Sequence, residues 1–199
     1  MRETLVRNNA TRFIYDIQTS KNALLQTIRR KDLFLSHKIM EQTQIKQIPP
    51  RIGHYFAGFA DGEGSFNVSL RKKGDYGIGW QLCPSFNISQ KDPTVLFLFK
   101  RYLHCGTLRK RKDGVMYYEV LNVEALWNII IPFFEQFSFL SSTKKTNFSI
   151  FRKIIELMHN GRHLETEGFE EILELRESLN VGHGRTRKYN QSDVVLRQK

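Results

Sequence analysis

Tyr55-Phe56-Ala57-Gly58-Phe59-Ala60-Asp61-Gly62-Glu63-Gly64-Ser65 is the passage from which the rest of the chain can be read. The stretch from Arg51 to Asp61 is short, apolar and closed by glycines, so it reads as a buried helix that stops at Gly62 or Gly64. Ala57, Gly58 and Ala60 lack bulk, and small residues on one turn let a second helix approach the backbone closely. Two acids, Asp61 and Glu63, then sit at the helix C-terminus, the unfavourable end of the dipole for a carboxylate. A divalent cation would offset that cost. Carboxylate oxygens beside a backbone carbonyl, here that of Gly62, are the hard ligands Mg²⁺ takes.

Downstream, the apolar period changes from helical to two. Phe66, Val68 and Leu70 alternate with Asn67, Ser69 and Arg71; Trp80, Leu82, Phe86 and Ile88 alternate with Gln81, Ser85, Asn87 and Ser89. Each run is a strand with one face on a core and one on water or a polar partner. Pro84 marks a bulge or an edge. Asp92-Pro93 opens a helix through Leu96, Phe99 and Leu103 to His104. A hairpin, 107–112 with 115–123, turns at Asp113-Gly114 and carries Thr107, Arg109, Arg111, Tyr117 and Glu119 outward. A short helix runs from Glu124 to Pro132, another from about Thr143 to Asn160 ending at Gly161, and an acidic one over 167–180. The order αββαββα makes this an α+β chain: four antiparallel strands, helices on one face, and a polar, basic sheet face left open.

Upstream, residues 1–49 form a helical extension closed by Pro49-Pro50; 50–182 form the main domain and 183–199 a basic tail. The chain has 199 residues with 31 Lys+Arg against 20 Asp+Glu, a net charge of +11, and 40% hydrophobic residues. A core is within reach and a disordered basic tail is not a description of the whole. No run suits a transmembrane helix or a secretory leader. Two distant cysteines, Cys83 and Cys105, make neither a disulfide framework nor a zinc ribbon. A soluble, basic, intracellular domain remains, with polyanions as the expected partners. Glu165 to Glu177 form an acidic stretch that must face away from phosphates. His159 and His163, spaced i, i+4 but interrupted by Gly161, read as surface histidines rather than a zinc pair.

The passage Ala57 to Gly64 resembles the signature of the LAGLIDADG homing endonucleases, and the αββαββα order over about residues 50 to 190 is similar to that family's. The resemblance implies metal ligation by Glu63 with the Gly62 carbonyl, and Mg²⁺ or Mn²⁺ as cofactor. Phe86-Asn87-Ile88-Ser89-Gln90-Lys91 looks like the strand whose last glutamine orients active-site water, which implies that role for Gln90. Thr143-Lys144-Lys145-Thr146-Asn147-Phe148 looks like the basic helix start that supplies the active-site lysine, Lys144, with Lys145 the alternative. Where relatives sometimes carry a basic residue just after the glutamine strand, this chain has Thr94.

One motif in the chain resembles the homodimeric members. Ala57, Gly58 and Asp61 would then lie at a two-fold contact, with double-stranded DNA as the other partner. Contacts expected on the DNA are Asn67, Ser69, Arg71, Gln81, Asn87, Arg109, Arg111, Tyr117 and Glu119 from the sheet, and Arg187 and Lys188 from the tail. The resemblance implies cleavage of both strands, leaving short 3′ overhangs; β-strands of about 8–10 residues reach roughly 9 base pairs per subunit, which makes the expected pseudo-palindromic site about 20 base pairs long. The resemblance also implies intron encoding in an organelle, the chloroplast ahead of the mitochondrion. Two other readings stand beside it: a maturase that binds intron RNA, and a DNA-binding module without catalysis.

Overall fold

A computed structural model describes residues 45–74, 77–181 and 187–194. The extension expected over residues 1–49 falls outside this set up to residue 44. The first helix, α1, spans Pro50–Glu63, with Pro50 in its first turn, where proline's missing N–H is no loss. No loop follows it: β1, Gly64–Lys72, begins at the next residue. Only glycine serves at this corner, because a Cβ on Gly64 would sit 2.6 Å from the Ala60 carbonyl oxygen.

β2, Trp80–Gln90, returns antiparallel to β1, and α2, Thr94–Leu103, crosses to β3, Thr107–Lys110, and β4, Met116–Val120. Asp92 Oδ1 accepts the Thr94 amide at 2.9 Å, starting α2. The β3–β4 turn is a four-residue one, Arg111 to Gly114, with positive φ (+83°) at Gly114 but not at Asp113. The strand order is β1-β2-β4-β3, all neighbours antiparallel.

Register puts every odd-numbered strand residue on one face. Asn67 lies opposite Ser85, Arg71 opposite Gln81, Asn87 opposite Glu119, and Tyr117 opposite Arg109. The apolar even-numbered residues enter the core, where Phe66 touches five aromatic rings, those of Phe86, Phe134, Phe139, Phe148 and Phe151, at 4.9–5.8 Å. Ile45 and Ile48, upstream of the two prolines, join this core. Pro84 causes no bulge. It pairs with Val68 in unbroken register, in the half of β2 that β4 does not reach. That makes it an edge proline.

Two expectations change. The helix that should end at Pro132 continues: α3, Val123–Ala125, passes through a π-helical stretch, Leu126–Ile130, into α4, Ile131–Gln136. Proline has no N–H to continue an α ladder, and the widened turn sits directly before Pro132's helix, with Pro132 in its first turn. After α5, Ser142–His159, Gly161 takes the left-handed conformation as expected, but a 3₁₀ turn, Arg162–Leu164, follows. The two histidines are therefore not plain surface residues. His159 stacks on Trp127 at 5.3 Å and pairs with Glu124 at 3.0 Å, while His163 has a buried Nδ1 and burial pulls its imidazole down.

The outer edge of β1 is covered by the last described elements of the chain. Arg176, on the acidic helix α6 (Thr166–Glu177), is 3% exposed and donates to the Val68 carbonyl at 2.8 Å and the Tyr189 carbonyl at 2.8 Å. Asn180 donates to the Phe66 carbonyl at 2.7 Å. Glu165, Glu167, Glu170 and Glu174 do face solvent. Among the described residues no helix is long and apolar enough to cross a membrane.

Candidate active site

The end of α1, the start of β1 and the start of α5 converge. α1 buries Gly53, Phe56, Ala57 and Ala60, spaced i, i+3, i+4, i+7, on its core side. Arg51, His54, Tyr55, Gly58 and Gly62 face outward. Two of the three small residues expected to receive a second helix are thus used inside: Ala57 is 2% exposed and Ala60 fully buried. Gly58 is the member on the open face, one turn from Gly62, and a Cβ on either would meet nothing within 4 Å.

Asp61, expected at the same contact, turns back into its own chain. Its Oδ2 accepts the amides of Leu140 (3.1 Å) and Ser141 (3.0 Å), and its Oδ1 accepts the Ser141 hydroxyl (2.5 Å). Ser141 is the N-cap of α5, so Asp61 leaves the wrong end of one helix dipole for the right end of another. Burial alone would raise this carboxyl, but the Ser141 hydroxyl, the two amides and Lys144 outweigh it and hold it below the ordinary carboxylate range. A carboxyl lowered by folding stabilises the fold above its unfolded value, and that contribution fades as pH falls through the folded one. Asp61→Asn should therefore cost about 1 kcal/mol at pH 7, the scale of a helix cap, and less at pH 3. Urea titrations at the two pH values check this; an equal cost at both would remove the charge from the explanation.

Lys144 lies one turn into α5. It is half-buried and its Nζ donates to the Gly64 carbonyl at 2.5 Å. Burial lowers its ammonium, while Asp61 and Glu63 pull the other way. Lys145 faces solvent. Of the two lysines, Lys144 is the one set against the motif. A cavity of about 420 Å³ opens here, lined by Asp61, Gly62, Gly64, Ser65, Asn67, Ser141, Thr143, Lys144, Asn147 and Asn180. Glu63, the last residue of α1, is exposed and stands in sequence between two of the lining residues, Gly62 and Gly64. Gln90 ends β2 two residues past Ile88, the partner of Gly64, so register places it at the same end of the sheet.

Asn147 and Asn180 were not legible as site residues. Asn147 Oδ1 accepts the Asn180 amide at 2.9 Å, and Asn180 sits at φ +59°, a conformation asparagine tolerates better than most residues. The Ser141-Ser142-Thr143 run before the lysines was the available signal, a cap positioning Lys144.

The outward sheet face holds Asn67, Ser69, Arg71, Gln81, Asn87, Arg109, Tyr117 and Glu119 together, with Arg111 continuing β3 through a 2.9 Å bond to the Val115 carbonyl. Arg187 is placed differently. Its guanidinium donates to Glu177 at 2.5 Å and to the carbonyls of Arg176 (2.7 Å) and Leu179 (2.6 Å). Lys188 beside it is exposed, its Nζ 5.2 Å from the Tyr189 ring centre.

A family model described as LAGLIDADG endonuclease matches residues 56–155. A probable intron-encoded endonuclease 2 of Neurospora crassa is 36% identical over 71% of this chain and 32% of its own length. The chain spans about a third of the curated relatives it matches first, 32% and 34%. Among solved structures, the homing endonuclease I-TnaI is 31% identical with a TM-score of 0.61, over 68% of this chain and 90% of that one. The I-SmaMI LAGLIDADG homing endonuclease bound to cleaved DNA is 32% identical with a TM-score of 0.63, over 68% of this chain and 45% of that one.

Proposed function

The chain belongs to the LAGLIDADG endonuclease family, and on that footing we propose that it is an intron-encoded, site-specific DNA endonuclease of an organellar genome, acting as a homodimer on a long pseudo-palindromic duplex. One observation carries the reading: Lys144, bonded to the carbonyl of Gly64, and the exposed Glu63 next to that glycine lie at one end of a sheet whose open face is polar and basic.

Glu63 and the Gly62 carbonyl fit a divalent ion by the chemistry of their donors. Both are hard oxygen ligands, and the last carbonyls of a helix lack partners within it. Among the described residues no three His, Cys, Asp or Glu side chains cluster. Mg²⁺ suits such a site because it keeps several waters and takes phosphate oxygens. Bound there, it supplies positive charge where negative charge develops on the scissile phosphate.

The chain's own residues do the rest. Lys144, fixed on the Gly64 carbonyl, brings a further positive charge against the phosphate. Gln90 orients water at the end of β2. Asp61 takes no direct part; it clamps α1 to α5 so that Glu63 and Lys144 keep their separation. Strands of nine and eleven residues reach about 30–36 Å, or roughly 9–11 base pairs per subunit. The open stripe of α1 with Gly58 at its centre is the two-fold contact, and it would bring two Glu63 side chains to neighbouring scissile phosphates.

The test is a duplex made by joining the two exon sequences that flank the reading frame, incubated with the purified chain and Mg²⁺. A double-strand break close to the junction is expected. Tight binding to the folded intron RNA with no cutting of the duplex would put the maturase reading in its place.

A further inference from the structure

Two arginines on the open sheet face are already held by neighbours. Tyr117 lies directly opposite Arg109, yet the Arg109 guanidinium pairs with Glu119, two residues further along β4. Arg111 repeats the step. Its amide bonds to the Val115 carbonyl, and its Nη1 donates to the Tyr117 hydroxyl at 2.5 Å, again two residues beyond the position opposite. The guanidinium carbon lies 5.4 Å from the Tyr117 ring centre, and Asp113 pairs with the same group at 3.4 Å. Both side chains therefore lean along one diagonal of the hairpin.

The depth of the partners differs. The Arg109 side chain is 64% exposed and that of Glu119 only 17%. The acid lies low, between Thr107 on β3 and Asn87 on β2, while the guanidinium stands above it. A guanidinium has five N–H groups, so the contact with Glu119 leaves a fork of terminal donors free for an acceptor pair. A carboxylate this close argues against a phosphate as that acceptor, since the two negative charges would repel. Guanine offers an uncharged pair, O6 and N7, in the major groove. Residues i and i+2 of a strand stand about 6.6 Å apart, which is close to two base-pair steps.

We propose that Glu119 and Tyr117 are positioning residues that hold Arg109 and Arg111 to read two guanines separated by one base pair. This rests on the DNA-cleaving function proposed above. It also reassigns Glu119 and Tyr117, which the sequence placed among the direct DNA contacts.

Selection from a randomised duplex library by the full chain, in Ca²⁺, tests it. Enriched sites should carry a guanine pair with one intervening position in each half. Glu119→Gln should reduce the preference at one of these guanines by about 5- to 150-fold, the scale of one bidentate contact, and leave the other. Tyr117→Phe should relax the second guanine and spare the first. Thermal midpoints report any structural damage separately, because damage lowers binding to all sequences alike. Enriched sites without the spaced guanines, or a Glu119→Gln variant with an unchanged base profile, would overturn the assignment alone. Enrichment of no sequence at all would remove the DNA-reading premise and the assignment with it.

Discussion

Glu63→Gln should abolish cutting while leaving DNA binding in place. The substitution keeps the size of the side chain and one hydrogen-bonding oxygen but removes the charge that would hold a divalent ion. Glu63 is exposed at the end of α1, and its side chain is not in the core, so the fold has nothing to lose. Cleavage should fall by about 10³-fold or more, about 4 kcal/mol of barrier. Binding draws on contacts spread over the sheet face, and losing two negative charges near phosphates should hold or tighten it. A gel assay in Mg²⁺ with a parallel binding titration in Ca²⁺ separates the two. Undiminished cutting by the variant would take Glu63 out of the chemistry.

Gly58→Leu should break the subunit contact without harming the subunit. A Cβ at Gly58 meets open space, and replacing glycine inside a helix by leucine gains about 0.5–1 kcal/mol in propensity. The separated chain should therefore melt no lower than the wild type at matched dilution, while sedimentation shifts from dimer to monomer and double-strand cutting is lost. Gly53→Ala on the same helix is the contrast. Its Cβ would fall 2.3–2.5 Å from the Phe137 ring, so it should destabilise the fold and leave the contact face untouched. A Gly58→Leu variant that remains dimeric would move the interface elsewhere. A wild-type chain that is monomeric both free and on its target would end the homodimer reading.

Local patterning carried the sequence reading a long way. Alternation through Phe66-Asn67-Val68-Ser69 and through Gln81 to Ser89 assigned the correct face to each strand residue, because a period of two leaves no choice once one face is apolar. Asp113-Gly114 located the hairpin for a similar reason, though the turn proved to be four residues wide. Failures came where two elements compete for one residue. Ala57, Gly58 and Ala60 are equally small, and size alone could not say that a one-residue step around α1 puts Ala57 inside and Gly58 outside. Pro132 read as a stop because the π-helical turn that accommodates it leaves no compositional trace.

The site shows the same division. Glu63, Gly62 and Gln90 belong to short motifs, and the roles proposed for them rest on those motifs together with their place at one end of the sheet. Lys144 and Lys145 are adjacent, and only the packing of α5 against the Gly64 carbonyl distinguishes them. Asp61 looked like a contact residue because its partners, Leu140 and Ser141, lie some 80 positions away. Arg187 carried a charge that suited phosphate, yet its hydrogen bonds are committed to Glu177 and two carbonyls. Long-range side-chain commitments of this kind have no periodicity by which to be read.

The clasp at β1 has a consequence for solubility. An unpaired strand edge is a template on which another chain can add a strand, and a four-stranded sheet has two of them. β3 guards its side by being only four residues long and by carrying Arg109 and Lys110. β1 is nine residues long and bears Phe66, Val68 and Leu70, the makings of an aggregation seed. Its guard is chemical: Arg176 and Asn180 occupy the carbonyls of Val68 and Phe66, taking acceptors that an incoming strand would need. A buried arginine on an acidic helix thus withdraws from this edge an acceptor on which a second chain would add a strand.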